Sequence, residues 1–233
     1  MAIHDDERSA SFAAPPCFMH ELGASYAGLA TDWQQQTDVS RWRRAERQRL
    51  IAARLAIGAV ARRAYAAAIA ESLDAIVGEV AGKTIGVYWP IRGEPDLRAW
   101  MERVRARGGV CAIPVVVERR ASLVYRAWRR GEALERGPWN IPAPAKGAAV
   151  VPDFVIAPVV GFDRCCYRLG NGTGLFDRTL AAFATRPRAI GVGYATLEVP
   201  TIYPQPHDIP MDLIVTEKEV VVPSPAAPGA RDD

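Results

Sequence analysis

From Gly82 onward, apolar β-branched runs alternate with helical patterns, and that alternation restricts the fold more than any other feature of the chain. Thr84–Trp89, Val110–Val117, Phe154–Val160, Ala189–Tyr194 and Asp212–Thr216 each read as a strand. Such continuous apolar runs suit strands buried on both faces, which arises when helices cover the two sides of a mostly parallel sheet. Asp96–Arg107 and Gly174–Ala184 carry helical spacing between them. Ser122–Trp128 reads as a strand antiparallel to its predecessor, and Glu219–Val222 as one paired with Asp212–Thr216. The expected class is α/β, with a mostly parallel sheet covered by helices on both faces. In such sheets ligands gather outside the carboxyl ends of the strands.

A long helical region precedes the sheet. Ser40 is the expected N-cap, and Leu50, Ile57, Val60, Ile69, Leu73 and Ile76 recur at three-to-four spacing up to about Val80, with Gly58 dividing the run into two helices. The opposite face carries Arg43, Arg44, Arg47, Arg49, Arg54, Arg62 and Arg63. An arginine-rich face is ordinarily solvated, and it can also lend one or two guanidinium groups to a phosphate site. Residues 1–40 show no sustained period and are expected to form a partly disordered N-terminal extension, the first dozen residues disordered and the remainder an irregular arm or short helices. Residues 41–222 then make the α/β domain and 223–233, rich in proline, a disordered tail.

Composition removes several classes of function. No apolar run nears the roughly 20 residues that cross a bilayer. Asp5, Asp6 and Glu7 open the chain without an apolar stretch after them, unlike a secretory signal, so a cytoplasmic protein is expected. Four cysteines (Cys17, Cys111, Cys165, Cys166) and three histidines fit no zinc spacing, and the adjacent Cys165 and Cys166 read as free thiols. A net charge of +3, with no aromatics clustered beside the arginines, argues against nucleic acid and membrane partners.

The segment Arg168-Leu-Gly-Asn-Gly-Thr-Gly-Leu-Phe-Asp-Arg178 carries the chemistry. Gly170, Gly172 and Gly174 stand at alternate positions before a helix start, so backbone N–H groups can converge on an anion that also meets the positive helix end. On that reading Arg168 is a charged clamp and Asp177 a metal ligand. The same pattern also suits a turn that merely reverses the chain. Gly78-x-x-x-Gly82-Lys83-Thr84 imitates a nucleotide P-loop, yet it is one residue short and leads into a strand. Two further segments hold polar residues near the functional edge. Glu94, after Trp89, can accept hydrogen bonds from a ligand's amine donors or simply start a helix. Asp208 can join Asp177 around a magnesium ion or close a turn.

The order and spacing of these segments resemble the 5-formyltetrahydrofolate cyclo-ligase family from about Trp42 to Val222. The likeness is most specific in Asp153-Phe-Val-Ile-Ala-Pro-Val-Val-Gly-Phe-Asp163 and in the Arg168–Arg178 run, where the family shows R-L-G-x-G-x-G-Y-Y-D-R. Trp139-Asn-Ile-Pro142, Gly193-Tyr-Ala195 and His207-Asp208 support it. The resemblance implies ATP- and magnesium-dependent closure of 5-formyltetrahydrofolate to 5,10-methenyltetrahydrofolate. It assigns ATP contacts to Arg43, Arg47, Arg168, Gly170, Asn171, Gly172, Thr173, Gly174, Leu175 and Phe176. It assigns folate contacts to Trp89, Glu94, Asn171 and Leu175, magnesium to Asp177 and Asp208, and catalysis to Arg168 and Asp177. This sequence departs from the family pattern in four places. Arg43 replaces a usual lysine, Leu175 the first tyrosine of the Y-Y-D-R run, Ala143 a Glu or Gln, and Glu198 a glutamine. Because these positions would touch nucleotide or substrate, a non-catalytic or substrate-altered relative is the alternative.

Overall fold

The computed structural model describes residues 33–118, 121–138 and 141–224. The remaining expectations for the N-terminal extension, for Trp139-Asn140 and for the tail beyond Ser224 fall outside the described residues. In chain order the elements are α1 (Trp33–Ala56), α2 (Ala59–Val77), β1 (Thr84–Gly86), α3 (Arg98–Ala106), β2 (Val110–Val115), β3 (Val124–Ala127), β4 (Leu134–Arg136) and β5 (Pro142–Pro144). Then come β6 (Phe154–Pro158), β7 (Gly161–Phe162), β8 (Arg168–Leu169), α4 (Leu175–Ala182), β9 (Arg188–Val192), β10 (Leu213–Val215) and β11 (Val220–Val221). Gly58 separates α1 from α2 as the spacing predicts.

Ser40 does not cap α1, which already runs from Trp33. The glutamines before it favour helix, and Asp38 accepts hydrogen bonds from Gln34 and Arg41 at helical spacing. Val39, buried one turn before Arg43, extends the inward face. The last part of the expected N-terminal extension is therefore helix.

Seven strands form one sheet in the order β11-β10-β9-β6-β1-β2-β3. β10, β9, β6, β1 and β2 are parallel, while β3 and β11 pair antiparallel at the edges. The chain leaves β1 toward β2 and leaves β6 toward β9, so β1 and β6 are neighbours at the point where winding reverses. A crevice opens at such a point, outside the carboxyl ends of the two strands.

Alternate strand residues feed two cores. Ile85, Cys111, Ile113, Ile156, Ile190 and Leu213 pack with Leu73 of α2 and with Trp100 and Val104 of α3. Ala112, Val155, Ala157, Ala189 and Ile214 face the other way, against Tyr125 and Leu180 of α4. Helices thus cover both faces. The α1 helix lies elsewhere: Leu50 packs with Val160, Leu169, Tyr194, Leu197 and Ile202 in a third cluster beyond the strand ends. No described helix is long and apolar enough to cross a membrane.

Close packing at that edge dictates a glycine. A Cβ on Gly193 would stand 2.4 Å from Cγ2 of fully buried Val159. Valine is stiff about χ1 and cannot swing clear. Gly193→Ala is expected to cost about 1–3 kcal/mol of stability, read as a lower denaturant midpoint with an unchanged slope.

Candidate active site

Helical periodicity sorts the arginines of α1. Arg43, Arg47, Leu50 and Arg54 follow one another at intervals of three or four residues on one face, and that face looks onto the strand ends. Arg41, Arg44 and Arg49 point to solvent. Arg43 donates to the carbonyls of Ile202 (2.9 Å) and Tyr203 (2.8 Å) and pairs with Asp208. Arg47 donates to the Gly170 carbonyl at 2.7 Å and has no carboxylate partner among the described residues. Burial, and then the neighbouring Arg43 charge, hold its guanidinium below the usual arginine range. It stays protonated at neutral pH, and an arriving anion would relieve the repulsion.

The β7–β8 hairpin sets the glycine loop. In the turn between the two strands, buried Asp163 accepts the N–H groups of Cys165, Tyr167 and Ile202, and burial pushes its carboxyl up against those bonds. Gly172 (φ 90°) and Gly174 (φ 63°) adopt the left-handed conformation that favours glycine, whereas Gly170 does not. Gly174 is the N-cap of α4 and offers no capping side chain, so the first N–H groups of that helix are left open for an anion. Arg178 steadies the loop by donating to the Thr173 carbonyl.

Arg168, nearly buried, stacks over Phe176 and donates from Nη1 to Asp177 (3.1 Å) and to the Ile209 carbonyl; its Nε is buried without a partner. Asp177 Oδ1 also accepts the Ile209 N–H, while its Oδ2 has no hydrogen-bond partner among the described residues. Both oxygens of Asp208 accept from Arg43, and one also accepts the Gln205 N–H.

The chain beyond β1 builds the second half. The expected strand to Trp89 ends at Gly86 because Val87–Trp89 peel away toward the crevice, Val87 keeping one ladder bond to Ala112. Glu94 is buried; its Oε2 accepts the Ile91 N–H and its Oε1 accepts no hydrogen bond within 3.5 Å among the described residues. Burial pushes the carboxyl above its usual range, and the Ile91 N–H, the Arg54 charge, Asn171 and Arg92 oppose that rise. Glu94 lines a hollow and does not start α3, which begins at Arg98.

Two hollows meet at the glycine loop. One, of about 310 Å³, is mainly apolar and is lined by Trp89, Ile113, Leu123, Leu175 and Phe176, with Glu94 and Asn171 supplying polarity. The other, of about 770 Å³, is lined by Arg43, Arg44, Arg47, Gly172, His207 and Asp208. Arg168, Gly170, Gly174 and Asp177 line both. Ala143 and Leu175, two of the departures from the family pattern, line the apolar hollow, whereas Glu198 is paired with Arg164 and lines neither. Among the described residues no three His, Cys, Asp or Glu side chains gather as a metal cage. A cation here would therefore need oxygens from a ligand or water beside a carboxylate or two, as magnesium accepts.

The chain and its fold both have known relatives. Residues 39–217 match the model of the 5-formyltetrahydrofolate cyclo-ligase family. The chain belongs to that family. A 5-formyltetrahydrofolate cyclo-ligase of Mycolicibacterium smegmatis is 30% identical over 156 residues, 62% of this chain and 78% of that protein. The structure of 5,10-methenyltetrahydrofolate synthetase from Aquifex aeolicus superposes with a TM-score of 0.69 at 26% identity, covering 79% of this chain and 94% of the other. A synthetase of the same name from Mycoplasma pneumoniae shares the fold, with a TM-score of 0.63 at 22% identity over 75% and 98% of the two chains. Of the residues singled out from the sequence, Trp89, Glu94, Arg168, Asp177, Arg43, Arg47, Asp208 and the glycine loop do line the two hollows; Ile113 and Leu123 of the apolar hollow, and Arg54, Tyr88 and Tyr194, which brace the Glu94 turn, were not among the site candidates.

Proposed function

We propose that the protein converts 5-formyltetrahydrofolate to 5,10-methenyltetrahydrofolate at the expense of ATP. One observation carries this reading: a cationic hollow and an apolar hollow share Arg168, Asp177 and the glycine loop as a common wall. A group transferred from an anionic co-substrate to a largely apolar ring substrate would cross at that wall. The ATP γ-phosphoryl group passes to the formyl oxygen as its bond to ADP breaks. The neighbouring amine nitrogen then attacks the formyl carbon and gives up its proton, and phosphate leaves with the former formyl oxygen. Phosphoryl transfer of this kind asks for positioning and charge neutralisation.

The loop N–H groups with Arg43, Arg47 and Arg168 would hold phosphates. Glu94 Oε1, buried and unpartnered, would accept amine-type donors of the pterin, with Trp89 as an apolar wall beside it. Asp177, through its unpartnered Oδ2, and Asp208 would hold magnesium. When bound, the ion would neutralise phosphate charge. Its binding at Asp208 competes with the Arg43 pair. The setting is read as cytoplasmic, in keeping with Cys111 and Cys166 as free thiols.

Formation of methenyl absorbance that requires both ATP and magnesium is the expected result. No turnover at high protein concentration would remove the proposal. Leu175 and Ala143 favour a second reading, in which the apolar hollow takes a different reduced folate. That reading predicts folate binding without methenyl formation.

A further inference from the structure

We propose that Arg54 is a positioning residue for Glu94, fixing the turn that carries the carboxylate and balancing its buried charge; this rests on the folate reading of the apolar hollow. Arg54 belongs to a helix face that its sequence paints as solvated, yet its side chain is 0% exposed. It reaches from α1 past the strand ends to the loop after β1. Its Nε donates to the Arg92 carbonyl at 2.9 Å and its Nη1 to the Val159 carbonyl at 3.5 Å.

The turn it grips is one the chain would not hold unaided. Arg92 (φ 47°) and Gly93 (φ 76°) are consecutive left-handed residues, and the first is not a glycine. The Glu94 N–H closes the turn on the Ile91 carbonyl. Tyr194 donates from its hydroxyl to the Gly93 carbonyl at 3.1 Å, and Tyr88 to the Pro95 carbonyl at 2.6 Å. Arg54 thus completes a set of three side chains that hold the Arg92, Gly93 and Pro95 carbonyls of one short loop.

The charge relation explains why an arginine stands there. Arg54 Nη1 lies 3.8 Å from Glu94 Oε1, close enough to balance the charge but beyond hydrogen-bond distance. Arg54 Nη2 and Glu94 Oε1 are both buried without partners. The carboxylate is compensated yet keeps a free acceptor for a ligand. A closer, bidentate pair would fill that acceptor and close the site.

The groups facing Glu94 are Arg54 from α1, Arg92 in the turn, Tyr88 beyond β1 and the Asn171 amide of the glycine loop, while Tyr194 faces Arg54. Burial raises the Glu94 carboxyl and Arg54 opposes that rise. Without Arg54 the carboxyl keeps its proton to higher pH. It then accepts ligand N–H groups less well, so folate binding should fail at a higher pH than in the unsubstituted protein.

The test is calorimetric binding of 5-formyltetrahydrofolate, and separately of ATP, to the full chain from about pH 5 to 8. Arg54→Met is expected to weaken folate binding roughly 10- to 100-fold and to move its acid limb upward, with ATP affinity held within about twofold. In a Glu94→Gln background the same replacement should cost less and move no acid limb, because the charge it balances is already gone and only the hold on the turn is lost. Equal losses of folate and ATP binding, or an unmoved acid limb, would reduce Arg54 to a structural strut. Should Arg54→Met fail to fold, Arg54→Lys keeps the charge and loses the fork. Weaker folate binding with an unmoved acid limb is then expected, and an unchanged affinity would overturn the assignment. Absence of folate binding by the unsubstituted protein would sink the functional reading as well; equal binding by every variant would sink this one alone.

Discussion

Arg168→Ala is expected to lower turnover by about 10³-fold and to raise the ATP concentration needed for half-maximal rate. The guanidinium lines both hollows and is almost wholly withdrawn from water. Its Nε has no protein partner, and a donor buried in that condition is costly unless a ligand satisfies it. Its position suits charge that builds on a phosphoryl group in transit, where a fixed donor in a dry site counts for more than in water. Arg168→Lys should recover little, because Nη1 already serves Asp177 and Ile209 while Nε is held for a second direction. A single ammonium cannot reproduce that fork. Steady-state kinetics with ATP varied at saturating folate would check both parts, and an unchanged nucleotide dependence would remove Arg168 from the phosphate site.

The legible parts of this molecule are those where sequence neighbours decide the outcome. Long β-branched runs such as Val110–Val115 and Phe154–Pro158 must be buried strands whatever surrounds them, and their alternation with helices left few topologies. The glycine loop was legible for a similar reason, since Gly172 and Gly174 adopt conformations few other residues tolerate. Short pairs such as β4–β5 and β7–β8 were not legible, because two or three residues carry no period. Burial of charge was the least legible. Arg54 and Arg49 differ on α1 only in which way the helix turns them, and the partners that make Arg54 matter lie as far along the chain as Val159. The Ser40 expectation failed because a good capping residue is also tolerated inside a helix when its neighbours extend the buried face.

Asp177→Asn should abolish magnesium-dependent turnover while the fold persists, and Asp208→Asn should weaken it less and differently. Asp177 stands where the two hollows meet, and its Oδ2 faces no donor among the described residues. The amide keeps a neutral acceptor for Arg168 and the Ile209 N–H, so the local structure has little cause to change. It removes the negative charge that would draw a hard cation, and magnesium affinity should fall by about 100-fold or more. Asp208 is committed to Arg43 in addition to any metal. Its amide would loosen the Arg43 pair, while the Ile202 and Tyr203 carbonyls keep the guanidinium in place beside the cationic hollow. A modest rise in the magnesium requirement of Asp208→Asn, with ATP affinity kept, is therefore expected. Titrating magnesium at fixed ATP in both variants separates the two duties. If Asp177→Asn retained its metal response while Asp208→Asn lost it, the ion would belong on the Arg43 side of the cationic hollow, and the shared wall would act through Arg168 alone.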